Sequence, residues 1–227
     1  METYTLTPAE LAILTKYVMG EARAVGAPPE ASLFGDAQLR EAQGQLSERG
    51  LLRPSERGPE LIVAEPLALA LATTLSPSRR CMLRVTKRDS AAETSFLSFG
   101  SESIALNLEN ADGLHEYALL GDLDAALAFV TSTSGVESLA EHPPALPLQS
   151  LAVLLGDAHA LSLLTVVAEP LSPSAPAQSV SWIDSRGAVW LVDPSVEANV
   201  PSARPVALGQ LRAILAALLG ERRDWRF

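Results

Sequence analysis

The chain contains nearly the same segment twice, and this repetition is the strongest constraint on its fold. The stretch Tyr117–Val130 reads YALLGDLDAALAFV, and the stretch Pro205–Leu219 reads PVALGQLRAILAALL. Aligned on Gly121 and Gly209, the two share leucine and alanine at matching positions, and in each a strand candidate leads into an apolar helix. We interpret the repeat as an internal duplication. Chance similarity between two helices rich in leucine and alanine is the alternative.

The order of elements in the two halves supports the same interpretation. Alternating apolar residues predict strands in RRCMLRVTKR, ETSFLSFG, ESIALNLE and GLHEYALL, followed by a helix that Asp122 caps. LQSLAVLLGDAHA then predicts a helix, and LSLLTVVAEP, QSVSWIDSRGAVWLVDP and ARPVAL predict strands before a last helix from Gly209. We therefore expect an α+β fold with a largely antiparallel sheet and helices packed around it. It forms a single domain of two pseudo-twofold-related halves, approximately 1–140 and 141–227.

The N-terminal region predicts helices with clear boundary signals. Thr7 is an N-cap, Pro8 takes the first helical position, and the Glu10 carboxylate is placed to reach back to the cap. Leu11, Leu14, Tyr17 and Val18 are expected to share one face of this helix. A second helix begins near Asp36 and stops at Gly50, ELIVAE predicts a short strand, and a third helix starts at Pro66.

This N-terminal region also carries a resemblance to a known family. LTPAELAILTKYVMG, LREAQGQLSERGLL and PELIVAEPLALALATTLSPSRRCMLRV resemble the start of the EspG family, the cytosolic chaperones of type VII (ESX) secretion. The resemblance implies two related halves around an antiparallel sheet, each closing on a helix. It also implies that sheet-edge and loop contacts bind the tip of a helical PE–PPE substrate.

Composition and charge favour a soluble protein-binding module. The chain has 227 residues, of which 48% are hydrophobic, so it is long and apolar enough to bury a core. A net charge of −10 disfavours nucleic acid and anionic membranes as partners. A single cysteine, Cys81, excludes an internal disulfide, and its alternation with Leu83 predicts burial. We expect a cytoplasmic protein without a membrane segment; a second copy of the chain is a further candidate partner.

No spacing of residues predicts catalysis, a cofactor or a metal. The chain has no G-x-S-x-G, P-loop or dinucleotide motif, and His115, His142 and His159 are scattered. Asp157 and His159 do not share a helical face, which argues against a pair of metal ligands. The carboxylates Asp184 and Asp193 flank a hairpin, where aspartates usually stabilise turns. We therefore expect a non-enzymatic protein with neither cofactor nor metal.

The candidate partner-binding residues lie around the clearest hairpin and at the C-terminus. A three-residue loop at Ser185–Gly187 is expected to place Trp182 opposite Trp190, so that two indoles anchor one face. The stretch PLSPSAPAQ predicts a mobile loop close to this hairpin in sequence. The candidate contacts are Trp182, Trp190, Ser172, Pro173, Pro176 and, in the terminal segment ERRDWRF, Trp225.

Two alternatives stay open beside an EspG-like chaperone that holds a helical secretion substrate soluble. One is a transcription regulator in which DAQLREAQGQLSERGLLRPSERG and ELIVAE form the recognition helix and wing of a winged helix. In that case Arg40, Arg49, Arg53 and Arg57 would face phosphates, although acidic residues outnumber basic ones in residues 1–65. The other is an enzyme without a recognisable motif.

Overall fold

The computed structural model describes residues 2–19, 33–56, 60–110, 112–138, 149–168, 177–193 and 202–220. The helices in these parts of the chain are α1 (Pro8–Met19), α2 (Asp36–Glu48), α3 (Glu65–Leu75), α4 (Leu123–Thr133), α5 (Leu151–Gly156) and α6 (Leu208–Leu219). The strands are β1 (Thr3–Leu6), β2 (Leu52–Pro54), β3 (Leu61–Val63), β4 (Arg79–Lys87), β5 (Glu93–Phe99), β6 (Ile104–Glu109), β7 (His115–Leu120), β8 (Gln149–Ser150), β9 (Ala158–Ala168), β10 (Gln178–Ser185), β11 (Ala188–Asp193) and β12 (Ser202–Val206).

A ten-stranded sheet organises the fold. Its strands are hydrogen-bonded in the order β1-β7-β6-β5-β4-β9-β10-β11-β12-β8, and β2 and β3 form a separate hairpin. The strand pairs with a defined register are all antiparallel, including the long β4–β9 pair in which Leu83 faces Leu164. The α+β class and the largely antiparallel sheet are thus confirmed.

The chain divides into two compact units. Unit 1 comprises Met1–Ser78 and Phe96–Gly121, and unit 2 comprises Arg79–Ser95 and Asp122–Phe227. The chain passes through β4 to β7 into α4, and later through β9 to β12 into α6. This recurrence supports the proposal of an internal duplication. A single domain built of two related halves, approximately 1–140 and 141–227, stays a prediction.

Local capping signals define the helices of unit 1. Thr7 accepts from the backbone N–H of Glu10 at 3.2 Å, and the Glu10 carboxylate accepts from that of Thr7 at 2.8 Å, which confirms the predicted capping box. Gly50, with φ 68°, ends the turn after α2. The core of unit 1 joins these helices to β1 and β7 through Tyr4, Leu6, Leu11, Ile13, Leu14, Ala42, Leu46, Leu51, Leu52, Leu67, Leu71 and Tyr117.

One residue of α1 departs from its expected face. Leu11 and Leu14 are buried and Val18 packs against the core, but Tyr17 is 43% exposed. The predicted shared face was therefore wrong at Tyr17. A tyrosine at the border of an apolar stripe keeps its hydroxyl in water at little cost, because burial would require a hydrogen-bond partner.

In unit 2 one face of β4 is buried from Cys81 to Val85. Cys81, Leu83 and Val85 on β4 are buried, while Arg84 and Thr86 between and beyond them are exposed, as period-2 alternation requires. The two repeat helices α4 and α6 pack against each other within this unit. The Asp122 side chain accepts from the backbone N–H of Ala125 at 2.8 Å, so the predicted N-cap of α4 is confirmed.

Two details of the second half differ from the sequence expectations. The helix in LQSLAVLLGDAHA ends at Gly156, because the residues from Ala158 onward already belong to β9. The β10–β11 hairpin has a two-residue turn instead of the expected three-residue loop, so Ser185 faces Ala188. Arg186 has φ 55° and Gly187 has φ 70°, and two consecutive positive φ angles produce a tight turn that matches the twist of a hairpin.

This turn changes the expected indole pair. Trp182 faces Leu191, and Trp190 faces Ile183. A register shift of one residue exchanges the two faces of a strand, so the indoles lie on opposite faces of the sheet. The expectation that Trp182 lies opposite Trp190 was wrong. It was based on a three-residue loop, whereas the left-handed conformation of Arg186 produces a two-residue turn.

Candidate partner-binding surfaces

The two indoles of the hairpin are interior residues. Trp182 and Trp190 are both 0% exposed. The indole N–H of Trp190 donates to the carbonyl oxygen of Ser185 at 3.1 Å, whereas that of Trp182 has no hydrogen-bond partner among the described residues. Their part in partner binding stays a prediction. The other candidate contacts, Ser172, Pro173, Pro176 and Trp225, lie outside the described residues.

Helix α5 presents apolar side chains to solvent. Leu154 is fully buried in a cluster with Ile183 and Trp190, while Val153 is 46% and Leu155 44% exposed. A helix of six residues buries one narrow face, so apolar residues at adjacent positions must point outward. Val153 and Leu155 lie two positions apart, on opposite flanks of the buried Leu154, and we call these two exposed side chains together the α5 patch. The sequence LAVLLG indicates that α5 exposes some apolar residues, because such a helix is apolar on all sides.

The α5 patch follows directly after an edge of the sheet. β8 pairs with β12 only at Ser202 and Ala203. Among the described strands, β11 is the neighbour of β12 at Arg204–Val206, and none lies on the opposite side there. Backbone groups at such an edge can hydrogen-bond to a segment of another protein. Unit 2 therefore combines exposed apolar side chains with a short edge strand.

Unit 1 also exposes large apolar side chains, but on several separate elements. They belong to α1, the residues before α2, β3 and α3, and they are Tyr17, Leu33, Ile62 and Leu69. Leu69 is 47% exposed, which matches the exposure of the α5 patch. Its neighbours Leu67 and Leu71 face the core of unit 1. Leu69 is therefore a suitable control position for substitutions in the α5 patch.

A cleft of about 300 Å³ lies where β1 meets α1. Its lining comprises Thr5, Leu6, Thr7, Glu10, Gln45, Glu48, Arg49 and Leu114. The Arg49 guanidinium and the Glu10 carboxylate form an ion pair at 2.8 Å, in which Glu10 is 2% and Arg49 41% exposed. A second guanidinium nitrogen of Arg49 donates to the carbonyl oxygen of Thr5 at 2.7 Å. Glu10 and Arg49 thus bind each other, and Arg49 also binds the backbone of β1.

The described histidines lie on different elements in different units. His115 lies on β7 in unit 1, His159 lies on β9 in unit 2, and His142 is outside the described residues. Asp157 accepts from the guanidinium of Arg186 at 2.9 Å. Within the parts of the chain that the structure describes, no group of three or more His, Cys, Asp or Glu side chains is arranged to hold a metal ion.

The candidate carboxylate pair is separated by the hairpin register. Asp184 faces Val189, whereas Asp193 faces Ser202 at the far end of β11. Burial raises the pKa of Asp184, and the charge of nearby His159 opposes this shift. One Asp184 carboxylate oxygen is buried without a hydrogen-bond partner among the described residues. Asp184 is therefore a partly buried acid on β10, and its role at the turn stays a prediction.

Cys81 is an interior residue, as predicted. It is 0% exposed, and burial raises the pKa of its thiol to about 12, with Arg79 opposing this shift. A thiol with so high a pKa is almost entirely protonated at neutral pH and is a poor nucleophile. The prediction of a buried small residue is confirmed.

The arrangement considered for DNA binding is partly present in unit 1. The hairpin β2–β3 follows α2, in the order that a recognition helix and a wing would require. Arg49, however, binds Glu10 and the β1 backbone, and Arg40 donates to the carbonyl of Asp36 in its own helix. Arg53 is exposed on β2, and Arg57 lies outside the described residues. Two of the four arginines therefore already have protein partners.

Comparison with known proteins identifies the fold. No protein-family model matches the sequence. No curated protein matches it either. By structure, the chain is similar to the Mycobacterium tuberculosis type VII secretion system chaperone EspG5, solved in complex with the PE25–PPE41 dimer. That similarity has a TM-score of 0.63 at 10% identity and covers 96% of this chain and 95% of that chain. The chain thus has an EspG-like fold.

The described helices are also short in comparison with a bilayer. None of them combines the length and the apolar character needed to cross a membrane.

Proposed function

We propose that this chain is a non-enzymatic cytoplasmic chaperone of type VII secretion, which holds a helical PE–PPE-like substrate soluble until export. The observation that supports it most is the similarity to EspG5, because it extends over 96% of this chain and the neighbour was solved with its PE25–PPE41 partner. The cargo is accordingly a helical pair with an apolar tip.

The α5 patch is the surface that we assign to this cargo. Val153 and Leu155 are roughly half exposed, although their helix is anchored by the buried Leu154. Exposed apolar side chains beside a sheet edge suit an apolar helical tip, because binding removes them and the tip from water. Because Pro205 has no N–H, the backbone carbonyls of β12 next to the α5 patch would orient an extended flank of the cargo.

A binding titration tests this function. The purified chain is titrated with PE–PPE-type pairs from the same genome, and we expect a complex of one chain with one pair. The double variant Val153→Ser/Leu155→Ser should weaken binding roughly 30-fold, which corresponds to about 2 kcal/mol for two truncated apolar contacts. Neither side chain belongs to the buried core, so the variant should keep its fold.

The matched control is Leu69→Ser in unit 1. It removes an equally exposed apolar side chain from another helix and should leave the affinity within about twofold of the wild type. If both variants bind as tightly as the wild type, the α5 patch is not the binding surface. If no PE–PPE-type pair from the genome binds the wild type, the chaperone function itself is wrong.

The DNA-binding alternative has a test of its own. The helix α2 and the hairpin β2–β3 carry exposed Arg40 and Arg53. A salt-dependent shift of duplex DNA in a gel at low ionic strength would support a regulator. With a net charge of −10 we expect no shift.

A further inference from the structure

At the outer edge of β1, side chains instead of a strand bond the carbonyl oxygen of Thr5 and the N–H of Thr7. β1 ends the strand order of the large sheet, and β7 pairs with one side of it through Thr3–Leu6. Among the described strands none pairs with the other side. Exposed edges of this kind invite pairing with another chain, and proteins usually protect them with lysine, proline or a bulge. The sequence TYTL of β1 has neither lysine nor proline.

The Glu10–Arg49 ion pair provides the groups that a neighbouring strand would provide. Arg49 donates to the carbonyl oxygen of Thr5 at 2.7 Å, as a strand N–H would. Glu10 accepts from the N–H of Thr7 at 2.8 Å, as a strand carbonyl would. The two side chains are joined to each other at 2.8 Å, so donor and acceptor are held at a fixed spacing. In an antiparallel pair, the C=O of one residue and the N–H of the second residue after it point to the same edge.

We propose that Glu10 and Arg49 prevent a second copy of the chain from pairing with this edge of β1. An identical copy is the occupant for which the edge is suited, because two β1 strands can pair antiparallel about a twofold axis without any other complementary surface. The Glu10 carboxylate is held in position, because it is 2% exposed and the capping box fixes it at the start of α1. This inference concerns self-association and does not depend on the proposed cargo.

The test is sedimentation equilibrium of Arg49→Met, which keeps the alkyl stem of Arg49 and removes its donors. We expect its self-dissociation constant to fall at least tenfold below that of the wild type. The matched control is Arg40→Met in α2, because Arg40 donates to the carbonyl oxygen of Asp36 in its own helix. Arg40→Met should associate no more than the wild type.

A second substitution shows whether β1 carries the association. Thr3→Pro in the Arg49→Met background removes an N–H from the exposed edge and should restore the wild-type dissociation constant. Glu10→Gln breaks the ion pair but leaves an acceptor for Thr7 and the Arg49 donor to Thr5, so it should associate more weakly than Arg49→Met. The proposal is overturned if folded Arg49→Met sediments as the wild type does, or if Thr3→Pro leaves its association unchanged. Loss of folding in both Arg49→Met and Glu10→Gln also overturns it, because the pair would then serve stability and not edge protection.

Discussion

Replacing Trp190 with phenylalanine should destabilise the protein more than the same replacement at Trp182. Both indoles are 0% exposed, and both variants lose the same ring atoms, so the cost of the cavity is similar. The difference arises from hydrogen bonding. Trp190 donates to the carbonyl oxygen of Ser185, and Ser185 is itself fully buried. The indole N–H of Trp182 has no partner among the described residues.

The structure gives the size of this difference. Trp190→Phe removes the indole donor to a buried carbonyl, at a cost of roughly 1–3 kcal/mol. Trp182→Phe removes an unpaired donor, and its removal relieves a desolvation cost. We therefore expect Trp190→Phe to be less stable than Trp182→Phe by about 2 kcal/mol.

Urea denaturation followed by far-UV circular dichroism measures this difference. With a slope of roughly 2 kcal/mol per molar urea, the midpoints of the two variants should differ by about 1 M. The wild type is measured alongside as the common reference. Equal midpoints, or a lower midpoint for Trp182→Phe, would show that the assigned hydrogen bonding of the two indoles is incorrect.

Three further predictions concern individual residues. Burial raises the pKa of Asp184 above its ordinary value of 3.8, so its ionised form reduces stability. Asp184→Asn should therefore stabilise the protein at pH 7 and lose this advantage near pH 3, as urea midpoints at both pH values would show. Gly187 has φ 70°, so Gly187→Ala should lower the free energy of unfolding by about 1–2 kcal/mol. Gly44 lies inside α2, so Gly44→Ala should raise it by about 0.5–1 kcal/mol. Thermal denaturation compares the two variants, and a stabilised Gly187→Ala would contradict the turn geometry. The Cys81 thiol should resist iodoacetamide in the native protein and react in urea, as mass spectrometry of the labelled protein would show. Rapid labelling of the native protein would contradict the burial of Cys81.

The sequence predicted the elements that local chemistry determines. The cap at Thr7 and Glu10, the stop at Gly50 and the cap at Asp122 depend on residues within one turn of each other, and the structure has all of them. The strands from β4 to β7 were also predicted, because their alternation extends over several residues and reflects one buried face.

The elements missed from sequence are short or depend on distant residues. β1 has four residues and β8 has two, which is too little alternation to distinguish a strand from a loop. The β10–β11 register depends on whether Arg186 adopts a positive φ angle, and the sequence Ser-Arg-Gly permits either loop length.

The candidate surfaces depend even more on tertiary structure. Glu10 and Arg49 meet across 39 positions of sequence, and such a contact requires the packing of α1 against α2. The exposure of Val153 and Leu155 follows from the orientation of α5 on its cluster, because an all-apolar hexapeptide does not indicate which face is buried.

The soluble yield of the cargo tests the chaperone function most directly. A PE–PPE-type pair from the same genome is expressed with the wild-type chain, with Val153→Ser/Leu155→Ser, with Leu69→Ser, or alone, and its soluble fraction is measured by quantitative immunoblotting. The proposal predicts a high soluble fraction with the wild type and Leu69→Ser, and a low fraction with the double variant or without the chain. An equal soluble fraction with and without the wild-type chain, for every PE–PPE-type pair of the genome, would contradict it.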